Sequence, residues 1–321
     1  MTGKRIQESA TSTGGILRMI RKLVPGIGAA ALALAAAALS VSVPAALAQA
    51  PASAVPDVKS LVARTIAGQH RNDEALAEYE RRERKQTFRH DESQPAEDKI
   101  YRVVPTGTGT LRLLVEESGR NVAPDFYRKQ LRDLEQALLW ALNPAESKQK
   151  QRVEKGKRRA RERAELVDAV GEAFRFTWQG REARNGRQLA RVAFQPNPDF
   201  KPRTRNSELF AHVRGTLWID ERESQLARAE AEIFRDISVV GGVFGKIYSG
   251  GKFVLEQEPV ADGLWLPLRL EFHFRGRRFL FGFESHEVTT AGSYRRIGPP
   301  QQALNAVRHE LNNAPPAPAS K

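Results

Sequence analysis

Leu266-Pro-Leu-Arg-Leu-Glu-Phe-His-Phe-Arg275 alternates without a break. Leu266, Leu268, Leu270, Phe272 and Phe274 fall on one side; Pro267, Arg269, Glu271, His273 and Arg275 fall on the other. A period of two with one apolar side is the pattern of a strand half buried in an antiparallel sheet. Gly276-Arg277 follows, and glycine in first position suits a type II′ turn, so the chain is expected to return through Phe279, Phe281 and Phe283.

The rest of the chain repeats the pattern. Phe174, Phe176 and Trp178 share one side of a strand, and Asn185-Gly186 marks a hairpin into Leu189–Phe194. Past a loop with Pro196, Pro198 and Pro202, His212–Asp220 and Ser224–Phe234 form another hairpin. Upstream, strands at 100–104 and 111–116 are joined by the turn Pro105–Gly109, and strand-like sequence begins at Glu78.

Two amphipathic helices interrupt the strands. Asp57 can cap one that presents Val58, Leu61, Val62, Thr65 and Ile66, and Pro124–Leu142 presents Tyr127, Leu131, Leu134 and Leu138. A third, from about Ala145 to Ala173, is very polar, with nine Lys/Arg between Lys148 and Arg163. The expected fold class is α+β: an incomplete antiparallel β-barrel of about nine to eleven strands, closed by two or three helices.

Ahead of this lies a leader. Arg18, Arg21 and Lys22 precede the apolar run Ile27–Val43, and Ala46-Leu-Ala48 supplies a small-x-small exit, the pattern of a Sec-type signal peptide over residues 1–48. Met19 as the true start would give a signal of ordinary length. Export makes the periplasm the expected compartment and argues against cytoplasmic metabolism and nucleic-acid partners. The chain of 321 residues carries +13; removing the leader's five basic residues and one acid leaves 46 against 37, or +9. There is no cysteine, hence no disulfide, no thiolate metal site and no lipidated cysteine. Residues 49–57 read as a flexible leader, 58–296 as a single domain with a basic helical insertion near 145–165, and 297–321 as a flexible tail.

Leu217-Trp-Ile-Asp220, a charged turn, and Leu226-Ala-Arg-Ala-Glu230 resemble a signature hairpin of the lipoprotein-localisation-factor superfamily, whose members include the carrier LolA, the receptor LolB and the sigma-regulator RseB/MucB. Gly263-Leu-Trp-Leu-Pro267 resembles the penultimate hairpin of its uncharacterised exported branch, and Phe174–Phe194, with Gln179-Gly-Arg-Glu182 and Asn185-Gly-Arg187, its mid-chain hairpin. The resemblance covers about residues 55–295 and implies a half-barrel with an apolar cavity that holds acyl chains. The basic insertion departs from the simple carrier pattern, and no ligand-gating residue can be carried over. These motifs are structural and inform the fold more than the function.

Three candidate sites follow. Phe174, Phe176 and Trp178, with Leu270, Phe272 and Phe274 and then Phe279, Phe281 and Phe283, form an aromatic ridge that suits either ordinary core packing or the lining of an acyl-chain cavity. Arg152, Lys155, Lys157, Arg158 and Arg159 on the polar helix could meet anionic headgroups, or form a solvated face with i,i+4 pairs. In the glycine-rich stretch 239–251, Val243, Phe244, Ile247 and Tyr248 are candidates for a mobile lid, against the plainer reading of an irregular crossing. The six histidines show no metal-ligand spacing, no nucleophile elbow is present, and Gly242-x-x-Gly245-Lys246 lacks phosphate-loop spacing. The expectation is a non-enzymatic protein without cofactor or metal, whose partner is a lipid or lipidated protein. The alternative is a periplasmic protein-interaction or envelope-stress-sensing module of RseB/MucB type; an anionic membrane surface or a periplasmic protein are the further candidate partners.

Overall fold

The computed structural model describes residues 55–89, 92–204, 206–239, 245–279 and 281–313. The expected signal peptide, most of the expected 49–57 leader, and the candidate lid residues Val243 and Phe244 lie outside them. Helix α1 (Val58–Leu76) begins where its cap predicts, with the Asp57 carboxylate accepting from the Lys59 amide at 3.1 Å. Ten-residue β1 (Tyr79–Phe88) follows, then β2 (Glu97–Pro105), β3 (Thr110–Glu117) and a two-residue β4 (Arg120–Asn121).

Helices α2 (Pro124–Leu142) and α3 (Ser147–Ala173) lead to the meander β5 (Phe174–Arg184), β6 (Arg187–Pro196), β7 (Val213–Asp220) and β8 (Gln225–Ile233), with a 3-10 turn, Ser207–His212, before β7. Asn185 and Gly186 have φ of 50° and 73°, the type I′ geometry their identities call for. Short β9 (Ile237–Val239) and β10 (Gly245–Ile247) precede the long strands β11 (Lys252–Ala261), β12 (Leu264–Arg278) and β13 (Phe281–Arg296).

All pairings are antiparallel. The sheet runs β4-β3-β2-β1-β13-β12-β11-β8-β7-β6-β5, with β10 attached to β12 and β9 to β10. The end strands do not pair with each other, so the α+β fold is an open antiparallel sheet with helices on its faces, consistent with an incomplete barrel. The described residues hold thirteen strands and four α-helices, more than the nine to eleven strands and two or three helices expected. The extra strands β4, β9 and β10 are two or three residues long, too short to show a period.

The fourth helix corrects the expected tail. Pro300–Asn313 form α4, which buries Ala303, Leu304 and Val307 against Leu131, Leu134 and Leu138 of α2 and Val104 and Leu113 of the sheet. Its start, Pro300 after Gly298 (φ 71°), reads as loop by composition, while the spacing of Leu304, Val307 and Leu311 is helical. Gln130 of α2 donates to the Leu114 carbonyl at 2.9 Å and accepts from its amide at 2.7 Å, which occupies backbone groups near the sheet edge.

The predicted turn at Gly276-Arg277 is also displaced. β12 continues to Arg278, which pairs with Phe281, and Phe279 lies in the turn at φ 51°. Gly276 instead stands where β10 crosses β12: a Cβ there would lie 2.3 Å from the Lys246 carbonyl oxygen. The glycine answers a close backbone approach rather than a turn.

Candidate functional face

Unbroken register carries one row of residues across nine strands. It reads Lys99, Lys85, Thr289, then Leu270, Leu255, Ala229, Leu217, Val192 and Trp178. The parallel row is Glu97, Thr87, Glu287, then Phe272, Phe253, Ala231, Gly215, Phe194 and Phe176. Both rows change character between β13 and β12. On one side the face is charged or hydroxylated; on the other it is apolar.

The apolar side is the main core. Leu61 and Val62 of α1 and Leu166 of α3 pack onto Val192, Phe194, Leu217, Ala229 and Leu255. The two helices are joined by His70 Nε2 and Asp168 Oδ1 at 2.7 Å. Phe174 meets Phe194 edge-on at 4.9 Å and Phe210 at 5.2 Å. Phe176, Trp178, Phe253 and Leu270 are only half buried along this surface. Phe272 and Phe274 join Ile237 and Ile247 in a smaller cluster that Phe253 and Phe283 flank.

The charged side is tightly paired. The Arg81 guanidinium holds Glu83 through Nε at 2.8 Å and Nη2 at 2.7 Å, and Arg112 Nε reaches the other carboxylate oxygen at 2.9 Å. Burial opposes ionisation of Glu83, but Arg81 and Arg112 outweigh it and hold the carboxyl below its ordinary range. Lys85 and Glu287 pair at 2.5 Å. Burial raises the Tyr294 hydroxyl well above the usual phenol range; that hydroxyl donates to the Pro267 carbonyl and senses the charges of Arg81 and Glu83.

Not every buried donor here is satisfied. Arg81 is 7% exposed and Gln257, the register partner of Pro267, is 5% exposed. The Arg81 Nη1 and both amide atoms of Gln257 have no hydrogen-bond partner among the described residues. Buried polar groups ordinarily have one, so these atoms mark a place for a polar guest, whether water or ligand.

The aromatic ridge is therefore not one site. Phe174, Phe176, Trp178 and Leu270 belong with α1 and α3, the last three only half buried there, and Phe272, Phe274 and Phe283 with β9 and β10. Phe279 and Phe281 lie outside both clusters, 47% and 79% exposed at the β12–β13 tip. Of the lid residues, Ile247 is a core strand residue at 3% exposure, and Tyr248 lies exposed just beyond β10.

The five basic candidates stand on the exposed first half of α3. Lys157 pairs with Glu154 at 2.9 Å, Arg158 with Glu162 at 3.5 Å, and the Arg152 guanidinium lies 5.1 Å from the Trp140 ring centroid. Sequence reasoning missed Arg81, Glu83, Gln257 and Tyr294. The available signal was the unbroken charged run Glu80–Lys85 on β1, which reads as a solvent-facing strand.

The hairpin motifs are structural. Trp218 Nε1 donates to Glu182 at 2.7 Å, Asp220 Oδ1 accepts from the Glu223 amide at 2.8 Å, and Trp265 Nε1 donates to Glu223 at 2.8 Å. Among the described residues no cluster of His, Asp and Glu could hold a metal ion, and no helix is long and apolar enough to cross a membrane.

No protein-family model matches the chain, and no curated protein matches it. Among solved structures it is similar to a domain from Vibrio parahaemolyticus described as an outer membrane lipoprotein-sorting protein, at 9% identity over 78% of this chain and 100% of that one, with a TM-score of 0.33. It is also similar to a DUF1329 family protein from Desulfovibrio piger, at 13% identity over 75% and 94%, with a TM-score of 0.26. Superposition that loose transfers neither a residue role nor a ligand.

Proposed function

We propose that this chain is an exported, non-enzymatic binding protein that holds an amphipathic lipid, or the acyl chain of a lipidated protein, in the periplasm. The observation that carries the reading is the change of character along the two rows. An acyl chain would lie over the half-buried Phe253 and Leu270, where burial of each methylene is worth about 0.8 kcal/mol before ordering costs. The polar end would meet Arg81 Nη1 and the Gln257 amide. The signal-like leader supports export, and the resemblance of the hairpins to lipoprotein-localisation factors points the same way. A role in envelope lipid or lipoprotein traffic follows from that cargo.

The test is mass spectrometry of organic extracts from protein purified natively, paired with titration of a fluorescent fatty-acyl probe. Stoichiometric phospholipid or acylated peptide is expected, and Leu270→Glu should abolish probe uptake while the half-buried position spares the fold. A clean protein that ignores the probe would overturn the reading and favour the protein-interaction module. The exposed basic half of α3 would then be its docking surface.

A further inference from the structure

The β12–β13 tip carries aromatic rings that the core leaves outside. Along β13 the apolar face of the sheet continues as Ser285, Phe283 and Phe281. Phe283 meets Phe274 edge-on at 6.2 Å, but Phe281, the next in the row, is 79% exposed. Phe279 is 47% exposed and has φ of 51°, a conformation that bulky residues seldom adopt and glycine adopts freely. Tyr248, 38% exposed, stands beside them: its amide donates to the Arg275 carbonyl at 2.9 Å.

Cations surround these rings. Residues 275–283 contain Arg275, Arg277 and Arg278 and no acid. Lys246, the register partner of Arg277, has its ammonium 5.9 Å from the Tyr248 ring centroid. Asp236 pairs with Lys246 at 2.6 Å, Glu284, opposite Arg275, pairs with His273 at 2.5 Å, and Arg277 Nη1 donates to the Phe279 carbonyl at 3.1 Å. Exposed aromatic rings set among arginines match the boundary between lipid headgroups and acyl chains, where rings enter the apolar layer and cations stay at the phosphates.

We propose that the β12–β13 tip docks on an anionic phospholipid bilayer, with Phe279 and Phe281 entering the acyl boundary and Arg275, Arg277 and Arg278 at the phosphates. The tip is continuous with the apolar face through Phe283 and Phe274, so a docked molecule would present that face to the bilayer. Docking does not require the face to hold a lipid. The tip is also distinct from the basic helix: Gly156 of α3 packs on the Thr108 carbonyl in the β2–β3 turn, at the opposite ends of the strands.

The chain from Gln49 onward contains every described residue and lacks the apolar leader, which would bind membranes by itself. It is expected to co-sediment with vesicles of phosphatidylcholine and phosphatidylglycerol and not with phosphatidylcholine alone. Phe279→Ser with Phe281→Ser should weaken this by tenfold or more, roughly the loss of one buried ring. In the Phe281→Trp variant, emission should shift to the blue and be quenched by brominated lipid. Parent-like binding by the double serine variant, or no quenching, would overturn the proposal. So would dependence of binding on Lys155 and Arg159 alone, or sedimentation as a dimer that buries the tip. Leu270→Glu separates the two readings, since it should lose the acyl probe and still dock.

Discussion

Thr289 and Glu287 of β13 face Leu270 and Phe272 of β12 across a single pair of strands, yet the regions they head are held together by different physics. On the β12 side, side chains such as Phe194 at 2% and Leu255 at 1% exposure lie between sheet and helices, and each is stabilised by leaving water. On the β13 side, Arg81, Glu83 and Glu287 are as buried, at 5–7% exposure, and are tolerated only because their charges meet. One region has surplus stability in its packing. The other is balanced so closely that removing a single partner tips it.

The sharpest break in the comparison comes from truncation in the apolar region. Phe194→Ala should lower unfolding free energy by about 4 kcal/mol, read from urea melts. Glu83→Gln should cost about 3 kcal/mol, because Arg81 is left buried without its counter-charge, while the exposed Arg112 loses the same partner to solvent. Replacing all three together with apolar residues of similar size should be nearly neutral; a large loss in the triple variant would mean that the charges stabilise the fold outright. The sign follows from the depressed Glu83 pKa: its contribution is present above the ordinary glutamate value and is lost as pH falls through the lower, folded one.

Asp73 of α1 has the opposite sign. Burial raises its carboxyl to about 6, against the lowering influence of Arg163 and Gln69. The unfolded chain ionises it first, so it costs stability as pH rises from about 4 to about 6. Asp73→Asn should therefore stabilise by about 1–2 kcal/mol at pH 7 and not at all at pH 4. A gain equal at both pH values would show that its charge is not what matters. Smallest of all, Arg308→Ala, which removes the half-exposed ion pair between α4 and Glu135 of α2, should cost under about 1 kcal/mol.

Local pattern was enough for a large part of this molecule. Asp57, Pro124, Asn185-Gly186 and the alternation of Leu270–Arg275 placed element starts, turns and strand faces, because caps, turns and pleats depend on residues within a few positions of one another; upstream a bulge opposite Gln257 interrupts the expected alternation and leaves Leu268 exposed. Phe281 shows where that stops. Its place in the alternation matches that of Phe283, and nothing nearby in the chain tells that β9, β10 and the 3-10 turn cover one ring and not the other. Composition misled at α4, where Pro300 begins a helix that docks on α2.

By itself the sequence determined the export-like leader, the absence of disulfides, an antiparallel α+β fold and which side chains share a strand face. Only the tertiary structure decided that α2 and α4 pair with each other, that Arg81 and Glu83 are buried, and that the aromatic ridge divides into core, strip and tip. The physical reason is range: periodicity reports which way a side chain points, while burial depends on what arrives from elsewhere in the chain to meet it.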